Sequence, residues 1–172
     1  MSSAPQLPSD LPGPRVVLTP IRPEHRGRLR EIHGTPEVAR WWKQPDADWP
    51  APEPGTTAYA VLLDGAVIGF VQWYHEPEPE YRHAGIDLFL DPAVHGRGLG
   101  TEVVRVLCAH LVDDHGFHRI VIDPEAANAA AIACYRKVGF RDVGVMREYY
   151  LGADGVWRDG LMMELLAREL VR

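Results

Sequence analysis

Three glycines spaced two residues apart form a loop that could bind a phosphate group. Gly96, Gly98 and Gly100 are separated by Arg97 and Leu99, and apolar residues at helical spacing begin at Leu99. A strand, a glycine turn and a helix in this order aim several backbone N–H groups and the positive end of the helix dipole at one point. The spacing is too tight for the dinucleotide fingerprint, and no Lys-Ser/Thr pair follows it as in a Walker loop. Taken alone, the loop is either a phosphate cradle or a connector whose glycines only satisfy turn geometry.

Asp87 is the one acid in the apolar strand pattern that runs from Gly85 to Leu90. A carboxylate in such a strand is costly if it is buried without a partner. An alkylamine with a pKa of ~10.4 is neutral only about once per thousand molecules at pH 7, so amine chemistry needs a group that takes its proton. Asp87 is therefore the candidate base, and the alternative is an aspartate on the solvated face of an edge strand.

A helical pattern further along the chain carries a phenol and a side-chain amide on one face. The residues of this face are Asn128, Ala131, Ile132 and Tyr135. Gly139-Phe140 closes the helix. A phenol can donate a hydrogen bond to a developing negative charge. In isolation, Tyr135 is equally consistent with a half-buried aromatic residue and Asn128 with a helix cap.

The loop and this helix together resemble the GNAT family of acyl-coenzyme A-dependent N-acyltransferases. H-G-R-G-L-G-T, from His95 to Thr101, is followed by N-x-x-A-x-x-x-Y-x-K-x-G-F, from Asn128 to Phe140. The family loop normally begins with Gln or Arg, and His95 occupies that place here. Because the first position of the loop is its most tolerant one, the change is not read as a loss of cofactor binding. The resemblance covers the chain from about residue 15 to residue 170.

This resemblance implies acetyl-coenzyme A as the cofactor and gives roles to particular residues. Tyr135 would be the general acid for the leaving thiolate, and Asn128 would bond the pantetheine arm. A splayed or bulged strand around Phe89 and Leu90 would offer backbone groups to the thioester. The predicted cofactor-binding residues are Phe89, Leu90, His95, Gly96, Arg97, Gly98, Leu99, Gly100, Thr101, Asn128, Ala131 and Tyr135.

Within the family, the strand G-I-D-x-F-L is similar to that of aminoglycoside 6′-N-acetyltransferases, whose matching aspartate acts on the amine. Trp41-Trp42 and the segment 59–72 extend the similarity. The acid that matches Asp123 contacts substrate ammonium groups in that subgroup, although Asp123 could also be a plain strand-ending Asp-Pro turn. Asp87 and Tyr135 are therefore the predicted catalytic pair.

Aromatic residues and acids near the loops are candidates for the acceptor site, because an aromatic wall with carboxylates suits a cationic sugar. The predicted substrate-binding residues are Trp41, Trp49, Trp73, Tyr74, Asp87, Asp123, Glu148 and Asp154. Trp49 and Trp73 are the preferred wall residues because they adjoin loops, and the alternative for each aromatic is a place in the core. Segment 43–59 is shorter than in the aminoglycoside enzymes, and the tail 146–166 is also similar to GNAT enzymes that modify protein N-termini.

The predicted function is transfer of acetyl from acetyl-coenzyme A to a primary amine of a cationic small molecule. The 6′-amine of an aminoglycoside is the favoured acceptor, and attack would be direct, within a ternary complex. A protein N-terminus or a siderophore-type amine are alternative acceptors. A non-catalytic acyl-coenzyme A-binding module is a further alternative, which a paired base and acid, Asp87 and Tyr135, argue against.

These residues must be positioned by strands and helices whose order along the chain predicts an α+β (mixed α/β) fold. The resemblance implies that this fold is of the GNAT type. We expect a mixed, mostly antiparallel central sheet with helices on both faces. Residues 1–14 are predicted to be a mobile tail and residues 15–172 a single domain. The predicted strands cover 16–18, a hairpin of 58–63 and 66–74 around Asp64-Gly65, 85–90, 120–122, 143–151 and 156–164.

Composition excludes several other classes of protein. A net charge of −6 argues against nucleic-acid binding and is compatible with a cationic substrate, although a merely solvated acidic surface is an alternative. No apolar run approaches a membrane span and no leader is visible, so a cytoplasmic protein is expected. Cys108 and Cys134 are expected to be free thiols, and the histidines show no paired metal spacing, so no metal is predicted. A monomer and a homodimer are both compatible with the sequence.

Overall fold

Residues 8–51 and 53–172, which the computed structural model describes, are arranged around one eight-stranded sheet. The strands are β1 (Leu11–Pro12), β2 (Val16–Pro20), β3 (Thr56–Leu63), β4 (Ala66–His75), β5 (Ala84–Leu90), β6 (Arg119–Ile122), β7 (Arg141–Leu151) and β8 (Trp157–Leu166). The helices are α1 (Arg26–His33), α2 (Pro36–Ala39), α3 (Leu99–Asp113) and α4 (Ala129–Val138). None of these helices combines the length and apolar character needed to cross a membrane.

The strand order across the sheet is β1-β2-β3-β4-β5-β6-β8-β7. Neighbours are antiparallel except for β5 and β6, which are parallel and are connected through α3. A parallel pair needs such a crossover, whereas antiparallel neighbours can be joined by tight turns. The predicted mixed, mostly antiparallel sheet of an α+β fold is therefore confirmed.

Alternating residues of β5 point to two different hydrophobic clusters. Ile86 and Leu90 join the larger cluster, which contains the buried faces of α3 and α4. Phe89 joins the smaller cluster, in which Leu29 of α1 and Val38 of α2 are buried. Because successive strand residues face opposite sides of a sheet, Asp87 shares the face of Phe89. Helices thus cover both faces, as the sequence predicted.

The β3–β4 hairpin forms at the predicted turn. Asp64 and Gly65 both have positive φ angles, 49° and 79°, as a two-residue hairpin turn of primed type requires. The next ladder brings β4 and β5 together in one register, in which Gln72 lies opposite Asp87 and Trp73 opposite Ile86. This register fixes which side chains of β4 accompany Asp87.

The predicted N-terminal tail is partly wrong. Residues 1–7 lie outside the described residues, but Leu11–Pro12 pair with β2 and Leu11 is buried. The amide of Gly13 also donates to the carbonyl of Val16 at 2.7 Å. Burial of Leu11 and the backbone pairing tie this segment to the sheet, so the ordered structure begins before residue 15.

Strands β5 and β6 separate soon after they meet. Their only paired residues in the described ladder are Ala84 with Ile120 and Gly85 with Val121. Beyond Gly85, β5 continues to Leu90 while it stays paired with β4 on its other side. The segment from Ile86 to Leu90 therefore has one backbone edge that faces a gap in the sheet. The predicted splay is present, and β5 itself has no bulge against β4 in the range 84–90.

Candidate active site

The glycine loop turns from β5 into the start of α3. Gly96 and Gly98 both have φ near +75°, a left-handed conformation that glycine adopts without strain, and Gly98 is the N-cap residue of α3. The first amides of an α-helix, here those of Leu99, Gly100 and Thr101, have no intrahelical acceptor. A Cβ placed on Gly96 would meet no heavy atom within 4 Å, so the backbone there is open to a ligand.

A cleft of about 700 Å³ extends from this loop along β5 and α4. All the predicted cofactor-binding residues except Arg97 line this cleft. The cleft is closed on a further side by Trp41 and Trp42, which follow the short helix α2. The loop, the gap beside β5 and the start of α4 are therefore parts of one cavity.

Arg97 does not line the cleft. Its side chain is exposed, and its carbonyl oxygen accepts a hydrogen bond from Nη1 of Arg15 at 3.0 Å. Cofactor binding by the Arg97 backbone stays a prediction for its amide, since the carbonyl attaches the loop to the N-terminal segment.

His95 occupies the first position of the loop and bonds back to β5. Its Nε2 atom lies 3.0 Å from the carbonyl oxygen of Leu90. The bond links the loop to the last residue of the strand whose edge lines the gap. His95 thus has a structural partner at this position and also lines the cleft.

Asn128 and Tyr135 lie on α4 and both line the cleft. The Oδ1 atom of Asn128 accepts from the amide of Ala131 at 3.2 Å, so Asn128 is the N-cap of α4 and its amide nitrogen remains available. The ring of Tyr135 is buried, and no protein hydrogen bond to its hydroxyl occurs among the described residues. Burial raises the pKa of Tyr135 well above its ordinary value, with further contributions from Cys134 and Asp87. The phenol therefore stays protonated, and its hydroxyl faces the cleft.

Asp87 is half-buried on β5, on the opposite face from Leu88 and Leu90. Its Oδ2 atom accepts a hydrogen bond from Nε2 of Gln72 at 3.2 Å. Burial raises the pKa of Asp87 to about 6, the Gln72 hydrogen bond opposes this rise, and the negative charge of Asp123 adds to it. A carboxyl group with a pKa near neutrality can both accept and release a proton at physiological pH.

Tyr74 and Asp123 belong to the same electrostatic group as Asp87. The ring of Tyr74 lies against Gly85, where an added Cβ would come within 2.2 Å of it. Burial, together with the negative charges of Asp87 and Asp123, raises the pKa of Tyr74 to about 12. Asp123 accepts a hydrogen bond from the hydroxyl of Tyr149 on β7. Two carboxylates and two phenols therefore converge at the end of β5 where β6 departs.

A second cavity of about 340 Å³ lies on the α1 face of the sheet, beside Gln72. Trp49 and Trp42 form aromatic walls, and both rings pack against His33. Acids of the segment 43–55 also line this cavity: they are Asp46, Asp48 and Glu53. Trp42 lines both cavities, so the acid-rimmed pocket adjoins the larger cleft.

Of the predicted substrate residues, Trp49 alone lines the acid-rimmed pocket. Tyr74, Asp87 and Asp123 form the electrostatic group and line neither cavity, and three more lie elsewhere. Trp73 is a buried core residue on the opposite face from Asp87, packed against Phe117, so its prediction as a wall residue is wrong. Asp154 lies in the β7–β8 turn, where its carboxylate accepts from the amide of Val156 and from Arg158, and it lines neither cavity. Trp41 lines the larger cleft rather than the acid-rimmed pocket.

Glu148 lies at an irregular position of β7 with φ of 49°, and its amide donates to Asp159 at 2.8 Å. The bulge between Met146 and Tyr150 accompanies this conformation. Its exposed side chain lines neither cavity, and a role for Glu148 in substrate binding stays a prediction.

Neither cysteine is prepared as a nucleophile. Cys108 is fully buried in the core, and burial raises its pKa far above the ordinary value. Cys134 lines the cleft, but burial raises its pKa too, and its sulfur lies 3.3 Å from Oγ1 of Thr101. Among residues 8–51 and 53–172, no group of three or more metal-ligating side chains is present.

The sequence model of the acetyltransferase (GNAT) family matches residues 20–140, which contain both the glycine loop and α4. The chain belongs to this family. The match includes Asp87 and all the residues that line the cleft, Asn128 and Tyr135 among them.

Curated GNAT relatives differ in their acceptors. The chain is 37% identical over 102 residues to the aminoglycoside N(6′)-acetyltransferase type 1 of Klebsiella pneumoniae, covering 52% of this chain and 50% of that protein. It is 37% identical over 82 residues to the [ribosomal protein bS18]-alanine N-acetyltransferase of Salmonella typhimurium, covering 46% and 52%. The chain thus spans about half the length of the curated relatives it matches.

A solved acetyltransferase structure shares most of this architecture. The aminoglycoside acetyltransferase AAC(6′)-Ib in complex with coenzyme A and kanamycin superposes with a TM-score of 0.74 and 27% sequence identity. The superposition covers 90% of this chain and 96% of that one. The similarity therefore extends beyond the residues matched by the family model, to most of the sheet.

Sequence reasoning missed several residues of the GNAT site. Gln72, the partner of Asp87, could have been found from the register of the β4–β5 ladder. Tyr149 reaches Asp123 from a strand far along the chain, for which no local signal exists. Arg15 and Glu102, which hold the glycine loop, also depend on a contact between distant segments.

Proposed function

We propose that this chain is an acetyl-coenzyme A-dependent N-acetyltransferase that acetylates a primary amine of a cationic small molecule. The observation that carries the proposal is the joint placement of a glycine cradle and the Tyr135 phenol in one cleft along β5, the strand that also bears Asp87. Membership of the acetyltransferase family supports the reaction class. Coenzyme A in the neighbouring AAC(6′)-Ib structure supports the cofactor.

The chain's own residues fit such a cofactor. The left-handed glycines Gly96 and Gly98 leave room at the start of α3, and the free helix amides there suit a diphosphate. The free edge of β5 presents the backbone amide of Leu90 to the gap, while the Leu90 carbonyl is bonded by His95. The side-chain amide of Asn128 can donate to the pantetheine arm. When bound, acetyl-coenzyme A would supply the acetyl group as an activated thioester.

Proton transfer is assigned to two side chains. The Asp87 carboxylate, with a pKa of about 6, is mostly ionised at pH 7 and can accept the proton of a substrate ammonium, directly or through a water. Tyr135 keeps its proton at Oη, because burial raises its pKa, and can donate a hydrogen bond at the thiol end of the cleft. The Gln72 hydrogen bond holds the Asp87 carboxylate in one orientation.

Direct transfer from donor to acceptor is supported by the state of the cysteines. A covalent route would need a reactive thiolate, and burial raises the pKa of Cys134, the thiol in the cleft. Cys108 is enclosed in the core. The geometry therefore favours a ternary complex in which the amine attacks without an acyl-enzyme.

The favoured acceptor is the 6′-amine of an aminoglycoside. The pocket beside Gln72 combines the aromatic walls Trp42 and Trp49 with acids on the segment 43–55, which suits a sugar that carries several ammonium groups. The identity to the Klebsiella pneumoniae enzyme and the kanamycin in the AAC(6′)-Ib structure support this choice. Asp123, which shares the electrostatic group of Asp87, would bind a further ammonium group.

A protein N-terminus is the second candidate acceptor. Identity to the bS18-alanine N-acetyltransferase favours it, as does the exposed Tyr149, whose hydroxyl bonds Asp123 at the mouth of the site. A peptide α-amine is also cationic and would use the same proton acceptor. The two candidates differ in whether the acid-rimmed pocket or the β7 side selects the acceptor.

The test is thiol release from acetyl-coenzyme A by the purified chain in the presence of kanamycin, an N-terminal Ala-Arg peptide or a lysine-like diamine. We expect the fastest turnover with kanamycin and a product that carries one acetyl group at the 6′-amine, identified by mass spectrometry and NMR. Faster acetylation of the peptide would establish the second candidate. Coenzyme A binding without turnover of any amine would show a binding module and overturn the proposal.

A further inference from the structure

The glycine loop is attached to the N-terminal segment through Arg15. Nη1 of Arg15 donates to the carbonyl of Arg97 at 3.0 Å, and its Nη2 lies 3.7 Å from the place where a Cβ on Gly98 would be. The same guanidinium donates through Nε to Glu102 at 2.8 Å. One side chain thus contacts the loop and the first turn of α3 together.

Glu102 is a buried acid close to the helix end that faces the cleft. It is 6% exposed and lies in the first turn of α3. Its carboxylate accepts from the amides of Arg15 and Val16 at 2.6 and 3.0 Å, as well as from the Arg15 side chain. Burial by itself would raise the pKa of Glu102, but these hydrogen bonds bring its pKa below the ordinary value. Glu102 is therefore ionised at neutral pH.

An ionised carboxylate at this place opposes a polyanionic ligand. The first turn of a helix attracts anions through its free amides and dipole, and a nearby negative charge weakens that attraction. Arg15 supplies the compensating positive charge next to Glu102. It also ties the carbonyl of Arg97 back, away from the cleft. Charge compensation and loop attachment come from the same guanidinium.

We propose that Arg15 is a positioning residue for the cofactor diphosphate: it holds the Gly96–Gly98 turn in place and offsets the charge of Glu102. The inference rests on the proposed function, because it concerns the same cleft. It assigns a cofactor-site role to a segment before β2 that lies outside the residues matched by the family model. Arg15 acts through the loop and through Glu102, and no direct contact with the ligand is required of it.

The first measurement is the Kd of coenzyme A for the full chain by titration calorimetry. Loss of a charge-assisted hydrogen bond in Arg15→Ala should raise this Kd about tenfold or more. Arg15→Lys keeps the charge but lacks the planar fork that reaches Glu102 and Arg97 together. Its Kd should therefore lie between that of the unmodified chain and that of Arg15→Ala. Should Arg15→Ala not fold, Arg15→Lys with a Kd equal to that of the unmodified chain overturns the proposal.

The second measurement distinguishes an effect of Arg15 on diphosphate binding from a general effect on the fold. Acetyl-pantetheine has the thioester arm but no diphosphate, so kcat/KM for this donor should change less than twofold in Arg15→Ala, while KM for acetyl-coenzyme A rises. Arg172→Ala is the matched control, since Arg172 forms a two-hydrogen-bond pair with Asp113 at the other end of α3. Equal impairment with both donors would show a general effect on the fold and overturn the proposal.

The double variant Arg15→Ala/Glu102→Gln tests charge compensation. The glutamine can still accept the backbone amides of residues 15 and 16 but carries no charge. We expect the double variant to recover at least half of the increase in log Kd that Arg15→Ala causes. A double variant that recovers none of it would overturn the proposed charge compensation. If the unmodified chain does not bind coenzyme A, the proposed function itself fails, whereas binding with an unchanged Kd in Arg15→Ala overturns only the role of Arg15.

Discussion

The side-chain amide of Gln72 donates a hydrogen bond to Asp87 from the directly opposite position of the neighbouring strand, with 3.2 Å between Nε2 and Oδ2. A residue opposite in an antiparallel ladder shares the same face of the sheet, so this contact is a direct result of the β4–β5 register. Gln72 also lines the acid-rimmed pocket. The register therefore connects the proposed base with the proposed acceptor site.

Replacing Asp87 by Asn should remove the proton acceptor and keep the shape of the side chain. General-base catalysis contributes about 10²–10⁴-fold to rate, so kcat should fall by roughly that factor. Coenzyme A binding should be unchanged, because Asp87 does not line the cleft. Steady-state kinetics and calorimetry on the same preparation check both statements, and a variant with normal kcat would remove Asp87 from the mechanism.

The pH dependence of kcat/KM should report the raised pKa of Asp87. Since burial raises this pKa to about 6, activity should fall as pH drops through about 6, where the carboxylate becomes protonated. The Gln72 hydrogen bond lowers the pKa of Asp87, so Gln72→Leu should move the acid limb to higher pH. Rate profiles from pH 5 to pH 9 measure the shift, and an unmoved limb would disconnect Gln72 from the titration.

The raised pKa of the Asp87 carboxyl should also make the stability of the fold depend on pH. With a pKa of about 6 in the folded chain against an ordinary value of 3.8, Asp87 binds its proton more tightly in the folded state. Its contribution to stability is therefore fully present below about pH 4 and is lost as pH rises through about 6. Asp87→Asn should melt at a higher temperature than the unmodified chain at pH 8, and this difference should shrink toward pH 4. A constant difference in melting temperature would contradict the linkage.

Tyr135→Phe should slow turnover and leave the fold intact. The ring is buried and stays, while the hydroxyl that opens into the cleft is removed. We expect kcat to fall about tenfold to a hundredfold, with little change in the melting temperature. Cys134→Ala is the companion variant on the same helix: it should have nearly normal kcat, because direct transfer needs no thiol. A slow Cys134→Ala enzyme, together with an acetyl thioester found on Cys134 of the unmodified chain when no acceptor is present, would instead indicate a covalent route.

Substitutions of Trp49 and Trp73 should have different effects, the first on acceptor binding and the second on core packing. Trp49→Ala should raise KM for kanamycin about tenfold, because the ring forms a wall of the acid-rimmed pocket. Trp73→Ala should destabilise the fold by about 3–5 kcal/mol, since the buried ring packs in the core on the other face. Urea unfolding and acceptor kinetics on both variants measure this contrast. A Trp73→Phe variant should recover most of the stability and should keep the KM of the unmodified chain.

The parts of the fold that the sequence predicted are those set by local rules. The Asp64-Gly65 hairpin and the glycine turn that begins at Gly96 follow from the conformations that those residues prefer. The end of α4 at Gly139 was also visible in the sequence. The family motif located Tyr135 in the cleft, because its spacing on α4 is a helical one.

Errors arose where a residue's neighbours come from another strand or from a turn. Trp73 was assigned to a wall because it adjoins a loop, yet strand alternation turns it to the face opposite Gln72. Asp154 was counted with the substrate acids, although a turn aspartate bonds the amide two residues on. The contacts of Arg15 with residues 97 and 102 join segments more than eighty positions apart, which no local pattern encodes.

The segment between α2 and β3 has a consequence for how such an enzyme could change its substrate. On the donor side, the cleft is built on the glycine loop, the start of α4 and the free edge of β5, which belong to the regular framework of the fold. The acid-rimmed pocket depends on side chains of residues 43–51 and 53–55, which form no helix or strand. Transplanting this segment from another family member would exchange the selection of amines while the thioester chemistry is retained, so new resistance or biosynthetic activities could arise from one short exchange of sequence.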